Sequence, residues 1–167
     1  AGLSEWNVAA SSAAMYHNDM VMLTADGVIL RSTDTSENNI GSLNGVFYTD
    51  PTTSKPTWSN YLPGSTAASD IVAFINSDPA QIFEIRNATS TLAAADVGGT
   101  SKIVLGAGSS PNWVSTSTIY DSAGTATDQF KIIGISRDPD NQDASSNGCI
   151  WRVQVNEHIL GNNIAGI

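Results

Sequence analysis

Two histidines, one cysteine and 16 acidic side chains are the groups in this 167-residue chain that could do acid–base, nucleophilic or metal chemistry. His17 lies in Tyr16-His17-Asn18-Asp19, and His158 follows Asn156-Glu157. A zinc site needs short, fixed ligand spacings, and no His-x-His, Glu-x-x-His or Cys-x-x-Cys occurs. Both histidines therefore read as ordinary hydrogen-bonding residues. Cys149, between Gly148 and Ile150, reads as a small buried hydrophobe; being alone, it cannot form an intrachain disulfide. No serine stands in a Gly-x-Ser-x-Gly elbow. Gly98-Gly99-Thr100-Ser101-Lys102 lacks the spacing of a phosphate loop and is followed by strand-forming residues, so it reads as a turn.

Oxygen-ligand chemistry has one candidate, Asp138-Pro139-Asp140-Asn141-Gln142-Asp143, with three carboxylates in one loop. An EF-hand loop starting at Asp138 would need Gly at its sixth position and Glu at its twelfth, where Asp143 and Cys149 stand. Asp-Pro-Asp-Asn is also a turn sequence for local reasons, so a solvated turn is expected, with no metal and no cofactor. No pair among the acids is marked for glycoside cleavage. The chain is expected not to be an enzyme.

Aromatic side chains carry more information. Trp58 and Tyr61 lie in the polar stretch 55–64, and Trp113 lies in Ser109-Ser110-Pro111-Asn112-Trp113. Aromatics in loops act as lids over a core, as anchors in a protein interface, or as platforms for sugars. Trp6 is isolated among small residues in the stretch 1–15, which reads as an N-terminal arm that orders against a partner. Trp6, Trp58, Tyr61 and Trp113 are thus the candidate protein-interface residues, with Trp6 packing on its own domain as the alternative for that residue.

The elements that would position these residues are strands. Residues 20–23 and 28–31 flank Thr24-Ala25-Asp26-Gly27, a hairpin signal. Further strands are expected at 43–48, 71–76, 81–86, 102–105, 117–121, 130–136 and 150–156. In the last, Trp151, Val153 and Val155 alternate with Arg152, Gln154 and Asn156, which puts the apolar set on one face. The one candidate helix is short, residues 91–97. The expected fold is all-β, an antiparallel barrel or sandwich with long loops at 49–69 and 137–148. The expected division is an arm (1–15), a single β domain (16–160) and a C-terminal tail (161–167).

Only 14% of residues are charged, and the formal net charge is −9. No Lys or Arg precedes Arg31. Nucleic acids and anionic membranes both require clustered cations, so neither is an expected partner. No apolar run approaches a membrane span and no secretory leader is recognised, so nothing marks the chain for export.

Several segments, in order, resemble a family of tailed-bacteriophage capsid decoration (cement) proteins of marine and cyanobacterial phages. They are Tyr16-His17-Asn18-Asp19-Met20-Val21, Thr24-Ala25-Asp26-Gly27-Val28-Ile29, Gly45-Val46-Phe47-Tyr48-Thr49-Asp50-Pro51 and Tyr61-Leu62-Pro63-Gly64. After these come Asp78-Pro79-Ala80-Gln81-Ile82-Phe83-Glu84-Ile85, Phe130-Lys131-Ile132-Ile133-Gly134 and Val153-Gln154-Val155-Asn156-Glu157-His158. The resemblance spans roughly residues 15–160; this chain has Arg137-Asp138-Pro139-Asp140-Asn141 where the family has a shorter turn. It implies a virion structural protein on the capsid exterior that binds the major capsid protein and stabilises contacts between its subunits. A homo-oligomer, with a trimer as the working expectation, goes with that role. The competing expectation is a receptor- or glycan-binding β module of a phage tail or surface structure.

Overall fold

In a computed structural model, which describes residues 2–35, 38–88, 92–120 and 124–161, the chain is all-β. Its strands are β1 (Leu3–Asn7), β2 (Met20–Leu23), β3 (Ile29–Arg31), β4 (Asn39–Thr49), β5 (Pro56–Ser59), β6 (Val72–Asn76) and β7 (Ile82–Arg86). They continue as β8 (Thr100–Ser101), β9 (Ile103–Val104), β10 (Thr118–Ile119), β11 (Phe130–Ile135) and β12 (Ile150–Val155). In place of the expected helix there is a single 3-10 turn, Ala94–Asp96, where Asp96 Oδ2 accepts the Ala93 N–H at 2.7 Å. Thr91 and residues 162–167 of the expected tail lie outside the described residues.

The first sheet is six-stranded and antiparallel, in the order β1-β6-β4-β2-β3, with β5 paired to the distal half of β4. Its β2–β3 hairpin closes as the Asp-Gly pair requires. Thr24 N–H donates to Val28 O at 2.9 Å, and Gly27 takes the left-handed backbone (φ 73°) that a side chain would resist. The sheet then curls until Val8, just past β1, bridges Ile29 of β3. This closure encloses a core of Val8, Met15, Val21, Ile29, Leu43 and their neighbours. Residues 8–15 and 60–71 roof it, tied by paired bonds between Met15 and Leu62 at 3.1 and 2.8 Å.

The expected arm is therefore part of the barrel. Ser4 and Trp6 face inward opposite Ile75 and Ala73, while Leu3, Glu5 and Asn7 face out. The period of two in Trp6-Asn7-Val8 is the signal for this strand; its brevity and the Ala/Ser run behind it hid it. The expected long loop at 49–69 likewise contains β5, which pairs Trp58 opposite Phe47.

The second sheet, β7-β12-β11-β8, covers a separate core containing Trp151, Val153, Phe130 and Ile132. The alternation read in 150–156 holds: Trp151 and Val153 are fully buried and Val155 nearly so. Met20 belongs to this second core although β2 lies in the first sheet, and Asn39 of β4 bridges His158 just past β12. Met20, Asn39 and His158 thus help tie the two halves together.

Candidate interaction surface

An antiparallel sheet with one buried face ordinarily turns polar residues to water on the other. The outer face of the first sheet keeps Glu5 and Asn7 of β1 as its polar members but carries a large apolar patch beside them. Trp58 on β5 and Phe47 on β4 sit directly opposite each other, 54% and 42% exposed. Next to them on β6, Phe74 and Val72 point the same way, and Leu3 of β1 is exposed at the far side. Gly45 makes this row possible: a Cβ there would meet the Trp58 ring at 2.7 Å. Without it the indole lies across β4 and reaches Phe74, with ring centroids 5.0 Å apart and planes tilted by 58°. The result is an exposed aromatic row carried by three adjacent strands, β5, β4 and β6.

Tyr61 and Trp113 come together elsewhere. The Trp113 ring stacks on Tyr61 (4.5 Å, 14°) and lies nearly parallel to Tyr16 (6.4 Å, 8°), and the Arg31 guanidinium caps Tyr16 at 5.1 Å. Trp113 adopts a left-handed backbone (φ 51°), uncommon for a bulky residue, which turns its ring back into the stack. Asn60 Nδ2 donates to Asn112 O at 2.7 Å beside it. Trp113 is partly buried by these neighbours, so this cluster is a joint between three distant loops. Trp6 is half-buried against the first core, its indole N–H donating to Ser4 Oγ at 2.7 Å. Of the four candidate residues, Trp58 alone presents a broad exposed face.

Under the stack lies a buried ion pair that sequence reasoning did not single out. Asp19 is fully buried; Arg31 Nε stands 2.7 Å from its Oδ2 and Nη2 donates to its Oδ1 at 2.9 Å. The Tyr16 N–H also donates to Oδ2 at 2.8 Å, and Arg31 bonds the Gly106 carbonyl. Replacing Arg31 with Leu would leave the carboxylate buried without its partner. We expect a loss of about 3 kcal/mol, read from urea denaturation.

The remaining chemical candidates do not converge. His17 Nδ1 lies 2.8 Å from Asn44 O. Asp138 Oδ1 accepts the Asp140 N–H at 3.1 Å, while Asp143 caps Ser145 and Ser146, each carboxylate serving its own turn. Among the described residues no group of three or more His, Cys, Asp or Glu is placed to hold a metal ion. Burial pushes the Cys149 thiol up, so it stays protonated at neutral pH.

His158 is buried, its Nδ1 accepting the Leu160 N–H at 3.1 Å and the Ile40 carbonyl lying beside the ring. Burial holds its pKa below the ordinary histidine value, partly opposed by the Ile40 carbonyl and the Asp78 carboxylate. A lowered folded pKa means the unfolded chain takes up the proton first as pH falls. His158 therefore adds stability that is complete above about pH 6.5 and is lost on acidification through its lower folded value. Thermal melts between neutral pH and about pH 5 should show a falling melting temperature that His158→Gln flattens. Asp70 and Asp143, held low by Thr49 and by Ser145 respectively, act in the same direction only at more acid pH.

No helix among the described residues is long and apolar enough to cross a membrane. In comparisons with known proteins, no family model, no curated protein and no solved structure matches this chain.

Proposed function

We propose that this protein is a structural subunit of a bacteriophage particle that adheres to the assembled capsid and holds neighbouring capsid subunits together, using the outer face of its first sheet. The observation that carries the reading is the aromatic row of Trp58, Phe47 and Phe74 on a face that would otherwise be polar. Contiguous exposed aromatics on a rigid sheet have the character of binding hot spots, because rings bury much area at little rotamer cost. The ordered resemblance to capsid decoration proteins supplies the partner. An acidic surface with few cations suits adhesion to protein and disfavours nucleic acid.

The test is to add the purified protein to capsids lacking it and measure occupancy by sedimentation and electron microscopy. Trp58→Ser combined with Phe47→Ser should weaken attachment by about 100-fold or more, with a cooperative thermal melt of the double variant establishing that it remains folded. Saturable attachment of the double variant at wild-type concentrations, or no attachment of the wild type, would refute the proposal.

A further inference from the structure

Among the described residues no strand pairs with β7 on the side away from β12, and an open slot runs along that edge. Asn87 N–H donates to Cys149 O on the β12 side, and Ala88 N–H donates the opposite way to Ile119 O, both at 3.0 Å. Main-chain groups alternate sides along an antiparallel strand. Phe83 and Ile85 therefore direct theirs at β12, and Ile82, Glu84 and Arg86 direct theirs off the sheet. Beyond the Asn87–Ile119 bridge, β7 and residues 114–118 run in parallel but diverge. The second segment is held away: Ser115 N–H donates to His17 O at 2.8 Å, and Ser117 Oγ reaches the buried Asp19 at 3.4 Å. Neither wall can move to close the gap without breaking its own pairing.

What remains is a cleft of about 770 Å³ whose lining includes Met20, Ile103, Phe130 and Val153 from the second core. Among the described residues, the outward main-chain groups of Ile82, Glu84 and Arg86 meet one partner, the Gln81 side chain, which donates to Ile82 O at 2.8 Å. An unpaired strand edge beside an apolar cleft has the form of a missing strand.

We propose that this slot takes one extended segment of a partner protein, which adds to β7 as a further strand. The inference rests on the adhesive role above and specifies how the bound protein is gripped. The outward donors and acceptors require an extended peptide backbone, and a lining that mixes apolar Phe83, Ile85 and Val114 with polar Ser115 and Thr116 suits a peptide in which apolar and polar residues alternate. Charge selects further. The Glu84 carboxylate already accepts from Ser136 Oγ at 2.7 Å, whereas Arg86 has no ion pair among the described residues. The guest segment therefore carries an acidic residue at the Arg86 end. A second copy of this chain is the poorer guest, since two molecules of net charge −9 repel.

The experiment uses the isolated full chain, ¹⁵N-labelled, with a short capped peptide alternating Val and Thr and ending in Asp, at millimolar concentration. The expected result is shifted resonances and about tenfold slower amide exchange at Glu84 and Arg86. Glu84→Pro removes an N–H that the fold does not use and should abolish the response, while Glu84→Ala should keep it. If the proline variant does not fold, Arg86→Glu serves instead and should weaken the response to the Asp-ended peptide. No response in the wild type, a response confined to the Trp58 face, or an undiminished response in folded Glu84→Pro would overturn the proposal. Capsid adhesion without a peptide response removes the slot alone; a peptide response without capsid adhesion removes the capsid reading and leaves the slot standing.

Discussion

Removal of residues 1–15 should abolish cooperative folding. β1 contributes a five-residue ladder to β6, and Val8 closes the first sheet against Ile29. Val8 and Met15 are buried and Trp6 half-buried in the same core. Burying the first two side chains alone stabilises the fold by about 3–6 kcal/mol, before the lost ladder and the opened barrel are counted. A domain of this size has about 5–15 kcal/mol in all. Circular dichroism of the truncated chain should show no sigmoidal melt; a cooperative transition near the wild-type temperature would show that the strand is dispensable. The same segment read as a loose arm predicts the opposite result, an intact fold with weakened attachment, so one truncation discriminates the two accounts.

The second large effect is expected at Trp151. Its ring is fully buried at the centre of the second core, on the strand paired with both β7 and β11. Replacement by Ala removes the largest buried side chain and leaves a cavity that flanking strands cannot fill, at a cost of about 3–5 kcal/mol. Among the described residues the indole N–H has no hydrogen-bond partner, so Trp151→Phe loses no bond there and should cost markedly less. Urea denaturation of both variants gives the comparison directly. Equal losses would mean that the nitrogen does find a partner; no loss with Ala would contradict the packing.

These two sites also mark where local pattern was informative. Trp151, Val153 and Val155 announce their inward face because a strand's side chains alternate and three large apolar residues at that spacing leave little ambiguity. The Asp26-Gly27 turn is equally local, since glycine's freedom at positive φ settles the geometry within four residues. β1 is different. Its inward residues Ser4, Trp6 and Val8 include one small polar group, and what commits the segment to a strand is an edge of β6 lying far along the chain. β5 was obscured for the same reason: Pro56 and Ser59 look like loop residues, and only pairing with the long β4 makes them a strand.

The interaction surface was legible residue by residue but not as a surface. Trp58, Tyr61 and Trp113 could be singled out as aromatics in polar surroundings, yet nothing local separates the exposed Trp58 from the stacked Trp113. That separation depends on Gly45 clearing room for one indole, and on Tyr16 and Tyr61 converging on the other from 97 and 52 residues away. The Asp19–Arg31 pair was invisible because burial of a charge is decided by what covers it.

Composition and period by themselves determined an all-β chain, acidic and poor in cations, with its strongest strand at 150–155, because those properties follow from side-chain chemistry and nearest neighbours. Which strand closes the first barrel, which aromatic faces water, and where an edge is left open were decided only by the tertiary structure. Each depends on strands distant in sequence meeting at a particular register, and no local free energy encodes that meeting.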